Sequence, residues 1–420
     1  LTDMTTVVLL GTLDTKGVEY DYLRKRVEQE GCEVLLIDAG VQGQPLAQPD
    51  ITREHVAAAV GADVAQLAAA GDRGAAIETM ARGATATVLG LFAQGRLHGL
   101  LGLGGSGGSA LATQAMRALP VGVPKLMVST LASGDTRPYV GEVDVTMMYS
   151  VVDIAGINRI SELILSNAAT AIAGMAKNYA TFQPSTNAKP LIGATMFGVT
   201  TPCVTEARKA LEERGYEVLV FHATGTGGRS MEALVNGNFL VGVLDITTTE
   251  LADELVGGVL SAGPDRLEAA GKHALPQVVS LGALDMVNFG PIDTVPDKFR
   301  QRNLYRHNAT VTLMRTTPEE CAELGRILAS KLNQAKGPVA LFIPLRGVSM
   351  IATEGGVFYD PEADRQLIEQ VKSGLQSHVE LHELDMDIND PRFAQAMVQR
   401  LDELLHSQKL TQTHKAGGVS

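Results

Sequence analysis

At 420 residues the chain exceeds what one hydrophobic core usually supports, so two domains are the starting expectation. Hydrophobic residues make up 45%, charged residues 20% and aromatic residues 4%, with no Trp, a composition that fits a soluble α/β protein and excludes a membrane-spanning one. A formal net charge of −12 argues against nucleic acid and anionic membrane as partners, so any bound anion must be held by local geometry.

The first strand is expected over Val7–Gly11 and opens into Thr12, Asp14, Thr15, Lys16 and Gly17. A helix carrying Tyr22, Leu23 and Val27 then stops at Gly31, and Glu33–Asp38 forms the next strand, which completes a βαβ unit. A polar, proline-containing connection, Gly43–Asp50, leads into an Ala-rich helical region reaching about Gln94.

The stretch Leu97–Met116 organises this half. Apolar Leu100, Leu101 and Leu103 run into Gly104, Gly105, Ser106, Gly107, Gly108 and Ser109, after which apolar spacing turns helical. A strand, a tight glycine loop and a helix N-terminus present free N–H groups at the positive end of a helix dipole, which favours phosphate. Ser106 and Ser109 add hydroxyl donors. The alternative is a glycine turn that only lets helix and sheet pack closely. Gly102, Gly104 and Gly107 fit G-x-G-x-x-G, yet the next strand, Lys125–Ser129, ends without an acidic residue, so nicotinamide is not expected. No Lys-Ser or Lys-Thr follows the glycines, which excludes a Walker A loop. Apolar spacing over Ile157–Met175 is helical.

Tyr179–Pro190 breaks both periodicities and is the expected linker. Strands follow at Leu191–Ala194, Glu217–His222, Leu240–Ile246, Gln277–Leu281, Thr310–Met314, Val339–Ile343 and Val379–Glu383, with helices from Thr201, Thr249, Pro318, Pro361 and Pro391. Both halves begin strand–Gly, charged helix, Gly stop, then E-V-L, which reads either as an internal repeat or as the ordinary likeness of any two βαβ units. The expected architecture is α/β with two Rossmann-like domains, each a mostly parallel sheet flanked by helices: residues 1–182, residues 190–406, and a flexible tail over 407–420.

Ligands of open parallel sheets lie beyond the carboxyl ends of the strands. In the first half that singles out Thr12, Asp14 and Lys16, then Asp38, the glycine loop, and Ser129, Thr130, Ser133 and Asp135. Lys16 is placed either to neutralise a phosphate or as a solvated helix-start lysine; Asp14 suits a helix N-cap better than a ligand. Asp38 is expected to hold a ribose hydroxyl and Asp135 a Mg²⁺ ion. In the second half, Thr224, Gly225, Gly227 and Gly228 repeat the anion-loop logic, and Arg229 adds a fork for carboxylate or phosphate. His222 suits either acid/base work or a structural position. Asp245, Asp285 and Arg346 also end strands, and His222, Arg229, Asp245 and Arg346 are the candidate catalytic set. No Ser/His/Asp order, H-E-x-x-H or Cys/His spacing assigns a reaction. Cys32, Cys203 and Cys321 are scattered, which indicates neither disulfides nor a zinc site, and no basic start precedes a long apolar run; a cytoplasmic location is expected.

The stretches GGSGGSALATQAMRALPVGVPKLMVSTLASGD and PYVGEVDVTMMYSVVDIAGINRIS, with GTLDTKG, FHATGTGGRSME and GVFYDPEAD, carry a resemblance. Over roughly residues 6 to 405 the chain resembles the uncharacterised bacterial and plant family that includes the tomato mosaic virus resistance protein, an inhibitor of viral RNA replication. The resemblance implies a two-domain α/β chain, ATP binding attributed to the N-terminal region, and a homodimer or higher homo-oligomer. In plant members a barrel domain follows, whose activity is not expected of these residues. Three functions stay open: an ATP-binding protein with phosphates on Gly104–Ser109 beside an interdomain cleft; an enzyme for a small anionic metabolite, a sugar acid or keto acid, with ATP as substrate or regulator; or a non-catalytic interaction protein.

Overall fold

The computed structural model describes residues 5–183 and 188–416, with the backbone alone from residue 409 onward. The chain divides into two compact units, Leu1–Ser185 and Thr186–Ser420, split inside the expected linker. Among the described residues no helix is long and apolar enough to cross a membrane.

The first unit is built on β1 (Thr6–Gly11), β2 (Glu33–Asp38), β3 (Gly99–Gly104), β4 (Lys125–Ser129) and β5 (Thr146–Tyr149). They form one five-stranded sheet, all parallel, in the order β2-β1-β3-β4-β5. Helices cover both faces, which is why β1, β3 and β4 are buried throughout and read as nearly continuous apolar runs. Alternate side chains part to opposite faces. Val8, Leu10, Leu100 and Met127 pack with helices Arg73–Ala93 and Ser106–Ala118; Val7, Leu9, Leu101 and Val128 pack with Leu13–Gln29 and Arg159–Thr181. β5 was not anticipated; at four residues on the sheet edge it is too short to show an alternation.

The second unit holds β6 (Leu191–Met196), β7 (Glu217–His222), β8 (Gly242–Thr247), β9 (Gln277–Gly282), β10 (Met286–Phe289), β11 (Leu304–Arg306), β12 (Thr312–Arg315), β13 (Val339–Pro344) and β14 (Val379–Leu384). Six of them make a parallel sheet ordered β14-β13-β9-β8-β6-β7, while β10, β12 and β11 form a separate antiparallel sheet. With that insertion set aside, both units order their first five strands second, first, third, fourth, fifth, the flavodoxin-like variant of the doubly wound plan, and the second unit adds a sixth, β14, at the far edge. This shared order accommodates both readings of the likeness between the halves, an internal repeat and two ordinary βαβ starts. The helices at Pro318 and Pro361 start where proline suits a first turn, capped by Thr317 and Asp360. The last helix, Pro391–Ala416, runs past the residue where the tail was expected to begin.

Candidate functional site

In a sheet of this order the chain reverses direction between β1 and β3, and a crevice opens at their carboxyl ends. Pairing between the two stops at Leu10↔Gly102. Tyr20 fills the fork: its buried hydroxyl donates to the Leu10 carbonyl and accepts from the Leu103 N–H at 2.9 Å. Burial pushes the Tyr20 phenol well above its ordinary pKa, so it stays a neutral donor. A Cβ on Gly11 would lie 2.1 Å from that hydroxyl, so only glycine admits the ring.

Above the fork lies a cavity of about 440 Å³. Its floor is the glycine loop. Helix Ser106–Ala118 starts at Gly105, which has no side chain to cap it, so the first-turn amides have no intrahelical acceptor at the end that lines the cavity. Helix Leu13–Gln29 begins at Thr12, also without a side-chain cap, and helix Arg73–Ala93 reaches the same cavity with its first turn. Asp38 already accepts from the Leu13 amide and Asp72 from the Ala75 amide, so of the three starts it is the one at the glycine loop that is left to favour negative charge.

The structure brings Thr12, Asp14, Lys16, Gly104, Gly105, Ser106, Gly107 and Gly108 together around this cavity. The glycines differ in purpose. A Cβ on Gly104 would lie 2.9 Å from the Gly108 backbone, a close-packing role, whereas at Gly105 the nearest atom is Thr130 Oγ1 at 3.6 Å. Lys16 departs from helical geometry (φ −127°, ψ 16°) and its ammonium donates to the Ile154 carbonyl. Asp14 is not the N-cap; it lies inside the first helical turn, and its carboxylate accepts from the Val41 and Gln42 amides at 3.1 and 2.8 Å.

The other expected residues do not line the cavity. Asp38 accepts from the Leu13 and Gly40 amides and is paired with buried Arg53 at 2.7 Å, so both its oxygens are used inside the protein and none is left for a ribose. Ser109 and Ser129 are buried beneath the loop, hydroxyl to hydroxyl at 2.7 Å. Thr130 donates its amide to the Gly104 carbonyl at 3.3 Å, and Ser133 is exposed on the loop beyond it. Asp135 is forked by the Arg137 guanidinium, whose hydrogen bonds hold the carboxyl down to about 2. Among the described residues no group of three or more His, Cys, Asp or Glu is placed to hold a metal ion. Residues missed from sequence are Leu67, Arg73, Ile77 and Asp153. Asp72–Arg73 is legible as a helix start, with Asp72 accepting from the Ala75 amide, but long-range packing alone brings that start to the crevice.

In the second unit the four candidate catalytic residues are not brought together. His222 ends β7 and Arg346 follows β13, four strand spacings apart, roughly 19 Å. His222 is exposed, and Arg229 donates to the Ser261 carbonyl at 3.0 Å. Asp245 is buried and clamped by both terminal nitrogens of Arg266 at 2.6 and 2.7 Å. Arg346 forks onto exposed Asp385 at the rim of a wider depression of about 1180 Å³, where the nearby helix start is already capped by Asp360. The glycine loop after β7 is also filled from within: the Glu250 carboxylate accepts from the Gly225 and Gly228 amides at 2.7 and 3.0 Å and pairs with Arg266 at 2.6 Å.

Buried acids also make this unit sensitive to pH. Burial raises the Asp253 carboxyl to about 7, against hydrogen bonds from Asn288 and the Leu260 amide. An unfolded aspartate titrates near about 4, so the contribution is fully present below that pH and is lost as pH rises through about 7. In Asp253→Asn the Asn288 side chain, whose Oδ1 has no partner, can turn to accept from the new amide. Urea unfolding of the intact chain should show the variant gaining about 2 kcal/mol on wild type between pH 5 and pH 8. A pH-independent difference refutes the assignment.

Residues 5–181 and 189–405 match, in order, the N-terminal and C-terminal domain models of an uncharacterised protein family, UPF0261. A UPF0261 protein of Clostridium tetani is 55% identical over 400 residues, covering 95% of this chain and 98% of its own. Another, from Rhizobium meliloti, is 49% identical over 397 residues, 94% of this chain and 98% of its own. The ToMV resistance protein Tm-1 of Solanum lycopersicum is 48% identical over 313 residues; these are 73% of this chain but 42% of the tomato protein. Among solved structures, a pyrethroid hydrolase aligns at 13% identity and a TM-score of 0.23, over 51% of this chain and 98% of its own, a likeness that carries no argument. With both domain models matched over nearly the whole chain, the chain belongs to the UPF0261 family.

Proposed function

We propose that the first unit binds a nucleotide, ATP foremost, with its phosphates on the Gly104–Ser109 loop. The observation that carries this reading is the uncapped start of helix Ser106–Ala118 at the floor of the switch-point cavity. Two further features support it. Lys16 and Arg73 place two cations in a lining that also holds Asp14, Asp72 and Asp153, and Leu67, Ala76, Ile77 and Leu111 add apolar surface against which a base can pack. A Mg²⁺ ion would arrive with the phosphates, since Asp135 is engaged by Arg137 and lies off the cavity. A homodimer or higher homo-oligomer and a cytoplasmic address belong to the same proposal, the first from the family resemblance, the second from three free cysteines. The metabolite-enzyme reading is not favoured, because Asp245 is consumed by Arg266 and stands apart from His222 and Arg346. Calorimetric titration with Mg-ATP should give saturable binding, at about micromolar affinity, to one site per chain. No heat of binding at about millimolar ATP overturns the proposal.

A further inference from the structure

The wall of the cavity comes from elements of very different anchorage. Ala76 and Leu111 are buried, and the long helices that carry them are packed into the core. Leu67 belongs to a seven-residue helix, Val64–Ala70, in which no residue is buried. This short helix rests on the core only through partly buried Ala62, Val64 and Leu67. It is bracketed by Gly61 and Gly71, both at φ +69°, and a Cβ at either would meet nothing within 4 Å. Both are left-handed helix ends, Gly71 of this helix and Gly61 of the one before it, and they stand in open space on either side of an element with no fully buried residue, a geometry that can serve as a pair of hinges. The C-terminal hinge leads directly into Asp72 and Arg73 at the cavity.

We infer that helix Val64–Ala70 is a hinged lid over the cavity, and that Leu67 distinguishes a nucleotide from a bare phosphate chain by closing on the base. The inference rests on the nucleotide reading above and adds a specificity determinant to it. Phosphates are met by fixed amides of the glycine loop, which no lid movement alters. An apolar base instead gains by removing Leu67 from water, so closure is coupled to the part of the ligand beyond the phosphates.

The test compares Mg-ATP with inorganic tripolyphosphate by calorimetry on wild type and Leu67→Ala, with amide hydrogen exchange across residues 62–72. The expected result is a loss of about tenfold in ATP affinity in the variant, unchanged tripolyphosphate affinity, and slowed exchange across 62–72 when wild type binds ATP. Equal losses for both ligands, an unchanged ATP affinity, or exchange that ignores ATP overturns the lid and leaves the nucleotide site standing. If wild type binds neither ligand, the site itself falls, and the lid with it.

Discussion

Gly105→Val is expected to abolish ATP binding while the first unit stays folded. Gly105 adopts φ −82°, a value open to any residue, and its added Cβ meets only Thr130 Oγ1 at 3.6 Å, so the backbone tolerates the change. The isopropyl group then occupies the space where phosphate oxygens approach the first-turn amides. Each charge-assisted hydrogen bond lost costs about 1.5–3 kcal/mol, so losing two lowers affinity by about a hundredfold or more. Gly104→Ala is the informative contrast, because its Cβ would press on the Gly108 backbone at 2.9 Å and damage the fold itself. Calorimetry with a thermal melt separates the two. Unimpaired ATP affinity in Gly105→Val removes the loop from the site.

Arg266→Met should be the most destabilising single change in the second unit. The guanidinium is fully buried and serves Asp245, Glu250 and, at 3.5 Å, Glu232. Burial opposes its charge, but the surrounding carboxylates outweigh that and hold its pKa well above the ordinary arginine value. Methionine fills much of the volume yet leaves buried carboxylates without a counter-charge, a loss of about 3–5 kcal/mol out of a total near about 5–15. Urea denaturation of the intact chain should show it. A variant within about 1 kcal/mol of wild type would mean that the cluster is not a structural clamp.

What sequence could and could not reveal follows from range. Runs such as Thr6–Gly11 and Val339–Pro344 are legible because burial on both faces of a parallel sheet writes itself into consecutive residues. Thr312–Arg315 was legible as a strand, but its place in a separate antiparallel sheet depends on Met286–Phe289, far away in the chain. The glycine loop was legible as a strand, a tight turn and a helix start because the three are contiguous in the chain. Asp38 and Asp245 stood out for the right positional reason, at strand ends, yet Arg53 and Arg266 claim them through contacts across 15 and 21 residues. Arg73 and Leu67 escaped notice because only folding carries them to the crevice.

Because Glu250 is anchored in the same chain as the Gly225–Gly228 amides, it faces them at an effective concentration of about millimolar or above, and it never diffuses away. Free phosphate must outcompete a resident that is itself tied to Arg266. The second loop is thus self-saturated and indifferent to the cell's anion pools, whereas helix Ser106–Ala118 of the first unit starts with no side chain capping it. One topology, used twice, yields one glycine loop closed from within and one left uncapped.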